Sequence, residues 1–215
     1  KLGCEVVIPP RQGCCGALMT HTGREAEAQA AARKLIEAFE QANVDAVVIN
    51  AAGCGSNMKD YPNLLRDDPE WAERARKFSA KCRDVTEIIA ELGVGDAEFK
   101  LTQMTVAYHD PCHLLHAQGV QRQPRELLNA IPGLTLKELP ESQICCGSAG
   151  IYNLVEPAPA RQLADRKAQN VINSGAQALV SANPGCLLQI SSAMQRAGHP
   201  IPSMHIVEIL DRAMK

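Results

Sequence analysis

The sequence predicts an α/β protein built from two Rossmann-like parallel-sheet repeats, the first truncated at its N-terminus. Three observations carry this expectation. The stretch PPRQGCCG at 9–16 returns 131 positions later as PESQICCG at 140–147. Shifted by one more residue, AVVINAAGC at 46–54 lies on ALVSANPGC at 178–186, so Cys15 to Cys54 is 39 positions and Cys146 to Cys186 is 40. Between these blocks both halves run through the same order of patterns, a helix, an apolar strand and a Gly-Cys turn, which is the signature of an internal repeat.

The elements follow in order. Residues 24–41 are rich in Ala, Glu and Lys without Gly or Pro, which predicts a helix by propensity and by periodicity. Residues 46–50 form an apolar run with no alternation, as expected of a strand covered on both faces. Residues 67–83 read as a charged helix that contains the single Trp, Trp71. The stretch VTEII at 85–89 matches IVEIL at 206–210, and residues 93–102 read as a linker because Gly falls among polar residues there. The second half opens with a strand at 105–109, a helix from about Leu114 and a strand at 134–139. A helix at 160–174 follows, entered through Pro157 and Pro159 and left at Gly175, and then an apolar strand at 178–182. This divides the chain into two domains, 1–95 and 103–215. A counterpart of Cys112 would precede residue 1, so the first repeat is read as truncated, and a start without Met inside a strand-like segment points to an N-terminus upstream.

Composition narrows the chemistry. With 46% hydrophobic residues the chain has enough apolar material for a folded core, and a net charge of −2 from evenly mixed residues gives no basic stripe, so no nucleic-acid partner is expected. Aromatic residues make up 3%, too few for base-stacking platforms. No apolar run reaches the roughly 20 residues of a membrane span, so no transmembrane segment is expected. There is no GxGxxG, no GxxxxGK[ST] and no recognisable nucleophile–base pair, which argues against turnover by this chain alone.

Nine Cys, an odd number, fit metal or redox chemistry in a reducing, cytoplasmic setting better than a disulfide framework. Cys112, Cys145, Cys146 and Cys186 come from three separate connections and supply four thiolates, enough for an iron–sulfur cluster or for zinc. Adjacent Cys diverge too much to chelate one tetrahedral ion easily but reach two irons of a cluster, which favours iron–sulfur. In the first half Cys14, Cys15 and Cys54 offer three thiolates, read as an empty or zinc-filled site. Disulfide exchange within the vicinal pairs is disfavoured by ring strain. Cys4 and Cys82 lack counterparts and read as small core residues. His109, His113 and His116 crowd Cys112 as candidate ligands, proton carriers or hydrogen-bond donors, with a supporting role favoured over ligation.

The ordered set PPRQGCCGAL, NAAGCGSNMKDY, HDPCHLLHAQGVQRQPRELL, CCGSAGIYNL and NPGCLLQI closely resembles the cysteine-rich CCG region of the glycolate oxidase iron–sulfur subunit, over essentially the whole chain. Related regions occur in lactate-utilisation proteins, anaerobic glycerol-3-phosphate dehydrogenase and heterodisulfide reductase. The resemblance implies an electron-transfer fragment whose complete subunit carries four-iron four-sulfur clusters. It also implies flavin-bearing partner subunits that oxidise glycolate or another 2-hydroxy acid, delivery of electrons to a quinone pool, and peripheral association with the inner face of the membrane through the complex. The family's fullest motif ends in CxxC and supplies five thiolates. Here Asn57 and Gln189 stand where the second Cys of that pair would be, so a five-thiolate site is not expected in either half.

Overall fold

The computed structural model describes residues 1–94, 98–100 and 103–214. Two compact units result, Gly3–Val85 and Thr86–Lys215 together with Lys1–Leu2. Part of the linker expected at 93–102, namely 95–97, 101 and 102, lies outside the described residues.

The N-terminal unit runs α1 (Ala17–His21), α2 (Glu25–Ala42), β1 (Val47–Ile49), α3 (Ala52–Lys59), α4 (Tyr61–Leu64), α5 (Ala72–Lys81) and β2 (Cys82–Asp84), with α6 (Val85–Leu92) following directly. Helix α2 starts with Glu25 and Glu27 in its first turn, where the helix dipole favours acid, and stops at Asn43 in the left-handed conformation. Ala28, Ala32, Leu35 and Ile36 recur at helical spacing and are its buried stripe. They pack with Val47, Met58, Tyr61, Leu65, Trp71, Phe78 and Cys82 into one core, in which the Tyr61 and Phe78 rings stack at 5.6 Å. The helix expected at 67–83 is shorter. Trp71 sits at its N-cap, and Cys82–Asp84 leaves the helix to pair with β1 in parallel. Three residues, two of them charged, carry no apolar alternation, so pairing rather than pattern makes this strand.

The C-terminal unit runs β3 (Met104–His109), one π-helical turn at His113–Ala117, α7 (Arg122–Asn129), β4 (Leu134–Glu138), α8 (Tyr152–Val155), α9 (Pro157–Asn173), β5 (Ala178–Ser181), α10 (Pro184–Arg196), β6 (Ser203–His205) and α11 (Ile206–Ala213). Its sheet has the order β4-β3-β5-β6, with every neighbour parallel. All four residues of β5 are buried, as an inner parallel strand covered on both faces requires. The helix expected from Leu114 is interrupted: the π-helical turn ends before Gly119 (φ +69°), and a regular helix resumes only at Arg122. Helix α11 opens with a capping box in which His205 accepts from the backbone and Glu208 reaches back.

The repeat is visible in the register of the strands. Val47 pairs with Cys82 in the first unit, and Leu179 pairs with Ser203 in the second. These are equivalent pairs, followed by the matched helices α6 and α11. Residues 3–85 contain no counterpart of β3. Among the described residues β1 is paired on one edge only, and Val48 is 51% exposed, whereas Val180 at the equivalent place on β5 is fully buried between β3 and β6. Among the described residues no helix is long and apolar enough to cross a membrane.

Candidate metal centre

In the C-terminal unit three connections at one end of the sheet bring the candidate donors together. The first leaves β3 at His109 and passes Asp110 and Pro111 to Cys112. Asp110 is buried and receives two bonds from the Arg125 guanidinium, at 2.8 and 2.7 Å. Arg125 also clamps Glu138 at 2.8 and 2.9 Å, and so ties this connection to α7 and β4. Cys112 is half-buried, its sulfur 3.7 Å from His113 Nδ1.

The second connection follows β4 and carries Cys145 and Cys146. The Gly147 N–H donates to the Cys145 sulfur at 3.3 Å, and the backbone at Ala149 and Ser148 faces Cys145 and Cys146. Gly147 has φ +88°, and a Cβ there would lie 2.4 Å from the Ala160 carbonyl oxygen, so only glycine lets this loop press against α9. Lys167 of α9 is buried behind the pair and donates to the Glu141 carbonyl. Burial pulls its pKa down, while the neighbouring Cys146 opposes that shift.

The third connection is expected as a Gly-Cys loop, but Cys186 lies in the first turn of α10, directly after β5. A thiolate is favoured at that end of a helix. Asn183 Nδ2 donates to the Cys186 sulfur at 3.3 Å. Cys146 and Cys186 are 1% and 3% exposed.

The four sulfurs form a chain. Cys145 interacts with Cys112 and with Cys146, and Cys146 interacts with Cys186. Bonds from Cys112 and Cys146, with the Gly147 N–H, hold the Cys145 thiol far below its usual range, while Cys112 and Cys146, as the donors, are pushed up. Cys186 is lowered by the bond from Cys146 and by His109, against its burial. Neighbouring thiols thus shift one another in opposite directions, because four adjacent buried negative charges would repel. A positively charged metal group would remove that conflict.

The N-terminal unit repeats this arrangement with fewer donors. The Gly16 N–H donates to the Cys14 sulfur at 3.4 Å, and Gly16 (φ +83°) packs against Ala28 as Gly147 does against Ala160. Cys15 bonds Cys54, which lies in the first turn of α3, and the Cys54 pKa falls to about 7 for that reason. Cys14 is exposed. Asn57, at the place of a possible further Cys, instead donates to the Cys15 carbonyl at 2.8 Å, beside the Tyr61 hydroxyl at 2.7 Å. Gln189 is likewise engaged, by Asn153 at 3.3 Å.

Cys82 is fully buried, in the core as expected. Cys4 is not: it is exposed, and the segment around it, with Val6 and Ile8 also exposed, pairs with no strand among the described residues. Of the three histidines near Cys112, His116 Nε2 lies 3.2 Å from the Gln143 carbonyl. His109 behaves differently. Its ring is completely buried, and a nitrogen of it lies with the Cys146 and Cys186 sulfurs in a group whose donor atoms are all within 4.8 Å of one another. Its position as the last residue of a strand, ahead of Asp-Pro-Cys, was the available signal.

The cysteine-rich domain family known by its CCG motif matches residues 1–59 and 106–191. Among curated proteins, a "Probable glycolate oxidase iron-sulfur subunit" of Bacillus subtilis is 42% identical over 97% of this chain, which spans only 48% of that protein's length. Lactate utilization protein A of an Exiguobacterium species is 36% identical over the whole chain and 87% of its own length. Lactate utilization protein A of Bacillus cytotoxicus is 36% identical over 98% of this chain and 87% of its own. The duplicated Cys loops, their shared geometry and these matches together make the chain a member of the cysteine-rich CCG domain family.

Proposed function

We propose that the chain is an iron–sulfur electron-transfer portion of a flavin-dependent glycolate or other 2-hydroxy-acid dehydrogenase complex. In this reading Cys112, Cys145, Cys146 and Cys186 hold an iron–sulfur cluster, and flavin-bearing subunits are the partners. Electrons pass on toward a quinone pool at the inner, cytoplasmic face of the membrane, and the two repeats, 1–95 and 103–215, act as separate domains. The observation that carries it is the convergence of four cysteines from three connections into one chain of interacting sulfurs.

The donors fit such a group. Four thiols in contact cannot all ionise without a cation, and backbone N–H groups at 147–149 face the sulfurs, where hydrogen bonds tune a cluster's potential. The bound cluster would supply one-electron chemistry. The protein's part is to hold the sulfurs in register through the Asp110–Arg125 clamp and the tight Gly147 loop, and to keep water from Cys146 and Cys186. Anaerobic reconstitution with ferrous iron and sulfide should give a brown protein with matched iron and acid-labile sulfide. A colourless protein without iron would remove this reading.

One observation favours a second reading. His109, Cys146 and Cys186 are a donor set that zinc also accepts, and a zinc-bound module would dock flavin subunits without carrying electrons. Cys14, Cys15 and Cys54 are proposed as an empty or zinc-filled site on the same reasoning, with three thiolates and one of them exposed. Zinc without iron in both units of the purified chain is the outcome that selects the docking role.

A further inference from the structure

We propose that His109 is itself a ligand of the metal group in the C-terminal unit, a nitrogen donor beside the four cysteines. This deepens the proposed function and rests on it. Position 189, one turn after Cys186, carries Gln, whose side chain is engaged by Asn153. The structure places another donor beside the cysteines, from the opposite direction in the chain.

Four features single out His109. It ends β3, paired on both sides by β4 and β5, and its carbonyl accepts from Ser181 Oγ at 3.0 Å, so its backbone is held from two elements. Tyr108 and His109 project to opposite faces, as neighbours on a strand must, and the Tyr108 ring faces Arg125. The His109 ring is 0% exposed, yet neither nitrogen meets a hydrogen-bond partner of proper geometry. A core histidine normally has one, because a buried polar atom left unpaired is costly. Its sequence neighbour Asp110 is occupied by Arg125.

The final feature is distance. A ring nitrogen and the sulfurs of Cys146 and Cys186 lie mutually within 4.8 Å. Metal–sulfur bonds near 2.3 Å and metal–nitrogen bonds near 2.0–2.1 Å set donor separations of about 3.5–4.4 Å around one ion, so a small closure brings all three into range. The N-terminal unit has no counterpart of β3 within residues 3–85 and hence no equivalent nitrogen donor, so the two centres differ in kind as well as in ligand number.

The test uses the full chain labelled with ¹⁵N-histidine, reconstituted anaerobically with ferrous iron and sulfide, and pulsed EPR of its paramagnetic state. The expected result is a strong nitrogen coupling that changes on ¹⁵N substitution, is lost in His109→Ala and is retained in His113→Ala. The labelled wild type alone decides the point if His109→Ala does not fold. A cluster present without strong histidine coupling, or with coupling that persists in His109→Ala, overturns the inference and leaves the iron–sulfur reading standing. If the chain takes up zinc instead, X-ray absorption at the zinc edge should show nitrogen beside sulfur. Sulfur alone overturns the inference. Uptake of neither metal overturns the proposed function, and this inference with it.

Discussion

Arg125→Met tests whether the clamp on Asp110 holds the Cys112 connection. The Asp110 side chain is 2% exposed and takes both of its short bonds from this one guanidinium. Removing the partner leaves a buried carboxylate without its paired cation, a change that typically costs about 3–5 kcal/mol. At about 1.4 kcal/mol per decade, backbone amides of β3 should then exchange hydrogen roughly 10²–10³ times faster in the reduced, metal-free protein. Glu138→Gln removes a carboxylate that is 57% exposed and should cost less than about 1 kcal/mol. The double change Asp110→Asn with Arg125→Met should recover part of the loss, because the stranded charge is gone. The sign with pH follows from the depressed Asp110 pKa: burial raises it, and Arg125, together with Ser142 and the nearby His109, more than offsets that. The stabilisation is therefore present above the unfolded value of about 3.9 and is lost as pH falls through the folded one. Exchange of β3 in Arg125→Met within about fivefold of wild type would refute the reasoning.

Cys146→Ser should lose iron on reconstitution, whereas Cys82→Ser, in the core of the other unit, should keep the wild-type iron content, as read by metal analysis. Gly147→Ala combines a positive φ with a 2.4 Å approach to the Ala160 carbonyl, so urea unfolding should show a loss above the ~1–2 kcal/mol of a strained φ alone. Gly175→Ala, with φ +67° and open space, should lose only that amount. Lys167→Met removes a buried cation beside Cys146, and the bound group's reduction potential should move negative in an anaerobic titration; an unchanged potential would show that the charge is not felt.

The repeat made much of this legible beforehand. Strands β1 and β5 were visible because a strand covered on both faces reads as an unbroken apolar run, and α2 and α9 because Ala and other good helix formers run there without Gly. Strands β2 and β6 were missed, since Cys-Arg-Asp and Ser-Met-His are short and become strands only by pairing with β1 and β5. The convergence of the C-terminal cysteines could be inferred from three strand ends on one parallel sheet. The sequence placed His109 among three candidate histidines at a strand end, but what separates it from His113 and His116, the lack of a partner in a buried place, is recorded by no spacing. Exposure of Cys4 was equally hidden, for it depends on a neighbouring strand that this part of the fold does not provide.

The shared register of β1–β2 and β5–β6 bears on how far the two repeats can differ. From Cys54 to Cys82 is 28 positions, occupied by three short helices, while from Cys186 to Ser203 is 17, occupied by one long helix. Both routes return the chain to the same rung of the ladder. The crossover is thus free to differ in length and helix content between the repeats while the strand ends, and the thiols set on them, keep one register.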